Sequence, residues 1–130
     1  MKITFRYFVL LALLAFMIVT CQKSQDSGAS SVVGDYFKAL VAKDANQAVN
    51  LSCTAWEEQA QIDADTFAIN PATAENIQCT TAGGAGDATL VTCTGKLVLD
   101  YNGEEQEIDL ADRTYRVVQE GGEWRMCGYK

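Results

Sequence analysis

Arg113-Thr-Tyr-Arg-Val-Val-Gln-Glu-Gly-Gly-Glu-Trp-Arg-Met-Cys-Gly128 decides the fold. Residues 115–119 and 124–127 read as two strands, rich in β-branched and aromatic side chains. Glu120-Gly121-Gly122-Glu123 between them reads as a tight turn, because paired glycines supply the positive φ that a two-residue hairpin needs. Trp124 follows the turn, where a large ring can close one end of a core.

Working back, residues 74–81, 89–101, 104–119 and 124–129 read as four strands. Gly83-Gly84-Ala-Gly86-Asp87, Asn102-Gly103 and Gly121-Gly122 link them, and each strand then pairs with the next in an antiparallel meander. Val91, Cys93, Leu97 and Leu99 share a face, and an Asn102-Gly103 turn sets Leu97 opposite Ile108. Beyond that point the parity breaks. Ile108 and Leu110 are apolar at even numbers, Tyr115 and Val117 at odd ones. A β-bulge near Asp112-Arg113 is expected to repair the register and curve the sheet.

The preceding segment is helical. Ser31 is expected to cap a helix reaching Lys43, with Val33, Tyr36, Phe37, Leu40 and Val41 on its inner face. Asp44-Ala-Asn-Gln47 and Thr54-Ala-Trp-Glu57 have the capping-box pattern, the second opening a short helix through Gln61. Residues 65–69 add one more turn, and Asn70-Pro71 ends the region. The expected class is α+β: one long and one broken helix on a curved four-stranded antiparallel meander. Tyr36, Trp56 and Phe67 at these spacings are core residues first and pocket-lining residues second.

Charge and composition exclude several functions. The leader proposed for residues 1–20 has two bases, Lys2 and Arg6, and no acid. The remaining 110 residues, enough for one small core, carry 8 bases against 17 acids, a net charge of −9. Such a balance opposes phosphate neutralisation, so no nucleic-acid partner is expected. The chain contains no His, which removes His-based acid–base catalysis, His-activated nucleophiles and His-ligated metals. Glu105, Glu107 and Asp109 alternate along one strand as a solvated face does, rather than as a cation site. Neither a metal nor a cofactor is expected.

The N-terminus has the form of an export signal. A short basic head precedes the apolar residues 7–19, a run below the ~20 residues that span a bilayer. Ile18-Val-Thr-Cys21 resembles the lipobox of bacterial lipoproteins, with Thr20 where a smaller residue is usual. The resemblance implies acylation of Cys21, palmitate-type chains in a membrane, and an extracytoplasmic domain. Residues 22–30 are small and polar and read as a flexible tether of at most ~30 Å.

Four further cysteines remain, and an even number in a small exported domain favours two disulfides. In the meander, Cys79 and Cys93 lie on neighbouring strands at similar distances from the glycine-rich turn. Cys93 and Cys127 are separated by a strand, beyond the ~7 Å bridging limit. That leaves Cys79–Cys93 and Cys53–Cys127. The second pairing carries a tension, since Trp124 and Met126 facing the core would turn Cys127 away. No Cys-x-x-Cys spacing supports zinc.

Asp35-Tyr-Phe-Lys-Ala-Leu40 followed by Asp44, with Val117-Val-Gln-Glu-Gly-Gly-Glu-Trp124 at the end, resembles the nuclear-transport-factor-two-like superfamily and its cystatin-like cone or roll. Small bacterial lipoproteins with that fold are the narrower resemblance. It covers residues 31–130 and implies homodimerisation through the outer sheet face. Enzymes of the superfamily hold an acid inside the cone. The nearest acids here, Asp100 and Asp112, fall at a turn and at the expected bulge, so no catalytic residue transfers. The expectation is therefore a non-enzymatic, membrane-anchored domain that binds a small ligand or a protein, with Tyr36, Trp56, Tyr101, Tyr115 and Trp124 as candidate contacts. The alternative is a cone enzyme using a buried Asp as general base. An inhibitor of the true cystatin kind lacks its motif.

Overall fold

A computed structural model describes residues 25–130. Helix α1 (Gln25–Val41) and helix α2 (Ala45–Asn50) come first. A 3-10 turn (Thr54–Trp56) then leads into α3 (Glu57–Ile69). Strands β1 (Ala72–Ala85), β2 (Ala88–Tyr101) and β3 (Glu104–Asp109) follow. A second 3-10 turn (Leu110–Asp112) separates β3 from β4 (Thr114–Glu120), and β5 (Glu123–Tyr129) ends the chain. The helices pack on one face of a five-stranded antiparallel sheet ordered β1-β2-β4-β5, with β3 also paired to β2.

The fold is α+β as expected, with five strands instead of four. The expected third strand is two. β3 pairs with Lys96–Tyr101 of β2 and sets Leu97 opposite Ile108, while β4 pairs with the earlier stretch Thr89–Thr92. The parity conflict is resolved by the 3-10 turn, not by a one-residue bulge. Asp109 caps that turn by accepting from the Ala111 N–H at 2.9 Å. Leu110 is thereby driven fully into the core, and β4 restarts with Tyr115 and Val117 inward. Both glycines of the β4–β5 turn, and Asn102-Gly103 of the β2–β3 turn, have positive φ.

A second irregularity lies across β2. β1 slips register between Glu75 and Gln78, and Gly95 on β2 faces the slip with φ +93°. A Cβ on Gly95 would lie 2.5 Å from the carbonyl oxygens of Glu75 and Asn76. Only glycine admits this approach of two backbones, and breaks of this kind bend a sheet.

The helical layer corrects three expectations. α1 starts at Gln25, not Ser31, so residues 25–30 of the supposed tether are helical. Ala29 lies one turn before Val33 on the buried face, and this small-residue stretch packs where a larger one would not. A Cβ on Gly28 would come within 2.6 Å of the Trp124 ring. The earlier part of the tether, the leader and Cys21 lie outside the described residues. The second helix is broken after Asn50 as expected, but α3 runs on where a further break after Gln61 was expected, presenting Ala60, Ala64 and Phe67 inward. Asp44 does cap α2, accepting from the Gln47 N–H. Thr54 forms no capping box. Its N–H and hydroxyl both donate to the Glu120 carboxylate, at 3.2 and 2.9 Å, across the sheet edge.

The core lies between helices and sheet. Val33, Tyr36, Leu40, Val91, Leu97, Leu99, Leu110, Tyr115, Val117 and Met126 are all at most 2% exposed.

Candidate functional site

Both expected disulfides are present. Cys79 and Cys93 are direct cross-strand partners with Cα atoms 4.1 Å apart. Cys53–Cys127 spans 5.2 Å between Cα atoms and ties the helical half to the last strand. The tension over Cys127 is resolved by a piece of edge structure. The Leu51 carbonyl accepts from the Met126 N–H at 2.7 Å, and the Cys53 N–H donates to the Met126 carbonyl at 2.8 Å. Ser52 thus bridges Met126 as a short parallel strand beside β5. Cys53 reaches Cys127 along the sheet edge, so Met126 keeps its core position. Two disulfides point to an oxidising, extracytoplasmic setting. No helix among the described residues is long and apolar enough to cross a membrane.

The candidate aromatic residues divide. Tyr36, Trp56 and Tyr115 are brought together with Phe37, expected as a core residue of the first helix, and with Tyr129, which the sequence did not single out. Edge-to-face contacts link Tyr36 to Phe37, Phe37 to Tyr115, Tyr115 to Tyr129 and Tyr129 to Trp56, at centroid distances of 5.4–6.2 Å. Arg113 covers this cluster, its guanidinium carbon 4.2 Å from the Tyr129 ring centroid. No ring contact among the described residues joins Tyr101 or Trp124 to them. Tyr101 ends β2, and Trp124 lies against Gly28 of α1.

A polar group is embedded in the cluster. The buried Tyr36 hydroxyl donates to Asp63 Oδ2 at 2.7 Å, and Gln59 Nε2 donates to Asp63 Oδ1 at 2.9 Å. Burial raises the Tyr36 phenol far above its ordinary value, and the Asp63 charge adds to the rise. The Trp56 indole acts weakly the other way on that phenol, yet its buried Nε1 meets no partner within hydrogen-bonding geometry. Burial also pushes the Tyr115 phenol up to about 12, opposed by Arg113, and its hydroxyl donates to the Leu110 carbonyl at 3.2 Å. Asp63 escaped the sequence reading. It falls three residues after Ala60 and four before Phe67, a signal visible only once α3 is taken as continuous.

The other candidate acids are elsewhere. Asp100 accepts from the Gly103 N–H and shapes the β2–β3 turn, while Asp112 is exposed. Glu105, Glu107 and Asp109 are exposed as a solvated strand face. Glu107 pairs with Lys96, whose ammonium pKa it raises, and Glu75 lies 3.5 Å from the same Lys96. No group of three or more Cys, Asp or Glu able to hold a metal occurs among the described residues.

A surface cleft of about 350 Å³ lies between α2 and the β4–β5 turn, lined mostly by polar side chains including Asn50, Glu57, Glu120 and Arg125. A smaller one, of about 170 Å³, separates α1 from β1 and contains Cys79.

No protein-family model matches the sequence, and no curated protein matches it. Among solved structures, the chain is similar to RPA3114, a SEC-C motif containing protein from Rhodopseudomonas palustris. The TM-score is 0.52 at 12% identity, covering 79% of each chain. The helical cell shape determining protein Pgp2 from Campylobacter jejuni gives a TM-score of 0.49 at 10% identity, over 77% of this chain and 38% of that one. At 12% identity the first similarity is one of fold alone.

Proposed function

We propose that the chain is an exported domain anchored to a bacterial membrane through acylated Cys21, which binds a protein partner or small ligand on its surface and catalyses no reaction. The observation that carries this is the pair of disulfides in a chain headed by two bases and a short apolar run ending at Cys21. The α+β class also fits a cystatin-like roll of the nuclear-transport-factor-two-like kind.

Surface binding is favoured over an internal ligand because the candidate aromatics Tyr36 and Tyr115 are spent on packing. Further ground is found in the clefts and on the outer sheet face, the face proposed for homodimerisation, where the half-buried Lys96, Arg116 and Arg125 alternate with the core residues. One arrangement favours the alternative of a cone enzyme, namely the Tyr36–Asp63 pair. Both Asp63 oxygens, however, already accept hydrogen bonds, from Tyr36 and Gln59.

The test is metabolic labelling with an alkyne fatty acid in cells expressing the full chain. Label on the wild type, lost in Cys21→Ala together with membrane association, is expected. Equal label on both proteins, or none on either, overturns the anchor.

A further inference from the structure

We propose that Cys79–Cys93 is a thiol-exchange site, opened by a dithiol reductant that enters the cleft between α1 and β1. Three observations carry this, none of which involves Cys21. First, the two sulfurs are unequal: Cys93 is 2% exposed, whereas Cys79 is half-buried and lines the cleft with Ser31, Gly34, Asp35, Lys38 and Ile77. An incoming thiolate therefore meets one sulfur only. Second, the two Cα atoms are 4.1 Å apart, closer than the ~4.4–6.8 Å usual for disulfides and than the ~4.5–5.5 Å of opposed antiparallel residues. Disulfides held outside their preferred span, with one accessible sulfur, are the exchangeable ones. Third, the bond lies inside a hairpin whose two strands remain paired on both sides of it, from Ala72↔Leu99 to Ala85↔Ala88. Opening it leaves the fold in place. Cys53–Cys127 differs here, since it joins two halves of the chain 74 residues apart.

The chemistry balances with the dithiol as the only co-reactant. Its first thiolate attacks Cys79 Sγ, the Cys79–Cys93 bond breaks, and a mixed disulfide forms on Cys79. Cys93 leaves as a thiolate and takes a proton. The donor's second thiolate then attacks its own sulfur in the mixed disulfide and expels Cys79, which is protonated in turn. Two electrons pass to the chain, and the donor leaves as a disulfide. Lys38 and Asp35 pair with each other at 3.0 Å on the cleft rim, so entry is governed by size more than by charge.

The experiment uses the purified, oxidised protein and graded dithiothreitol, quenched with an alkylating agent and mapped by mass spectrometry. Cys79 and Cys93 are expected to alkylate about tenfold faster than Cys53 and Cys127, with the far-UV spectrum unchanged at that stage. A monothiol, 2-mercaptoethanol, is expected to leave its adduct on Cys79. Opening of Cys53–Cys127 first or together with the other bond, or an adduct on Cys93, overturns the proposal. A second variant tests the route without touching a cysteine. Gly34 lines the cleft and a Cβ there meets nothing within 4 Å, so Gly34→Leu is the substitution chosen to narrow it. Exchange at Cys79 should slow about tenfold while thermal stability holds. An unchanged rate in the folded variant overturns entry through the cleft.

Discussion

Removing the two disulfides one at a time should produce unequal losses, and the inequality can be worked from the chain. Cys53–Cys127 closes a loop of 74 residues and Cys79–Cys93 one of 14. Constraint of the unfolded chain is then worth about 4.4 and about 3 kcal/mol respectively at 25 °C. The short loop is nested in the long one, but the dependence is logarithmic, so each value barely changes when the other bond is kept. Domains of this size are stable by roughly 5–15 kcal/mol, so either loss is large and both are measurable. Cys53→Ala/Cys127→Ala should cost about 1.5 kcal/mol more than Cys79→Ala/Cys93→Ala. The gap widens because the long bond also holds the Leu51–Cys53 edge segment on β5, where two backbone hydrogen bonds depend on it. Alanine is the right replacement, since Cys53 and Cys93 are buried and a hydroxyl there would lack a partner. Equilibrium urea unfolding gives both the midpoint and the slope, and the slope should rise more for the long-loop variant as its denatured state expands. An equal or larger loss for the Cys79/Cys93 pair would refute the loop-length reasoning.

Three further outcomes follow from local geometry. Gly95→Ala should lower stability by about 2–3 kcal/mol, because its φ of +93° and the two carbonyl oxygens at 2.5 Å both reject a Cβ; an unchanged melting temperature contradicts the backbone crossing. Glu120→Ala should cost about 0.5–1 kcal/mol by removing the charged acceptor of the exposed Thr54 N–H and hydroxyl, whereas Glu123→Ala in the same turn should be near neutral; equal effects in denaturant melts reject the Thr54 contact. The phenols of Tyr36 and Tyr115 have folded-state pKa values raised by burial, the latter to about 12, above an unfolded value of 10.0. Their contribution is thus complete below pH 10 and lost as pH rises toward 12, and Tyr115→Phe should retain stability better than the wild type over that window. Phenolate absorbance from Tyr36 and Tyr115 growing near pH 10, well below the unfolding transition, would show the burial to be wrong.

Much of the sheet was legible because its signals are local. Asn102-Gly103 and Gly121-Gly122 need positive φ and fix two hairpins, and the Leu97–Ile108 register follows by counting from the first turn. The parity conflict between Ile108 and Tyr115 located the break correctly, but parity cannot distinguish one inserted residue from a 3-10 turn. Asp109 decides it by capping Ala111, and its carboxylate reads equally well in sequence as strand-face decoration. What stayed hidden depends on contacts between distant segments. Thr54-Ala-Trp-Glu57 satisfies a capping box locally, yet Glu120, 66 residues away, takes both Thr54 donors. The residues before Ser31 are compositionally a linker, and only the close seat of Gly28 on Trp124 explains why small residues belong in that helix.

Asp63 shows how one wrong helix end hides a site. Read with a break after Gln61, α3 has no inner face at residue 63, and an acid there looks solvated. Read as one helix, Trp56, Ala60, Asp63 and Phe67 recur at three- and four-residue spacing, and the acid falls beneath Tyr36. The cost of half-burying a carboxylate is then met by two donors, Tyr36 and Gln59, the second a helical neighbour four residues earlier. This separates a structural latch from a catalytic base. In a latch, Asp63→Ala removes the acceptor and Tyr36→Phe the donor, so each single change breaks the same bond and the double variant should cost well under the sum. A strictly additive pair in denaturant melts would mean that Tyr36 and Asp63 act independently, and the latch would have to be abandoned.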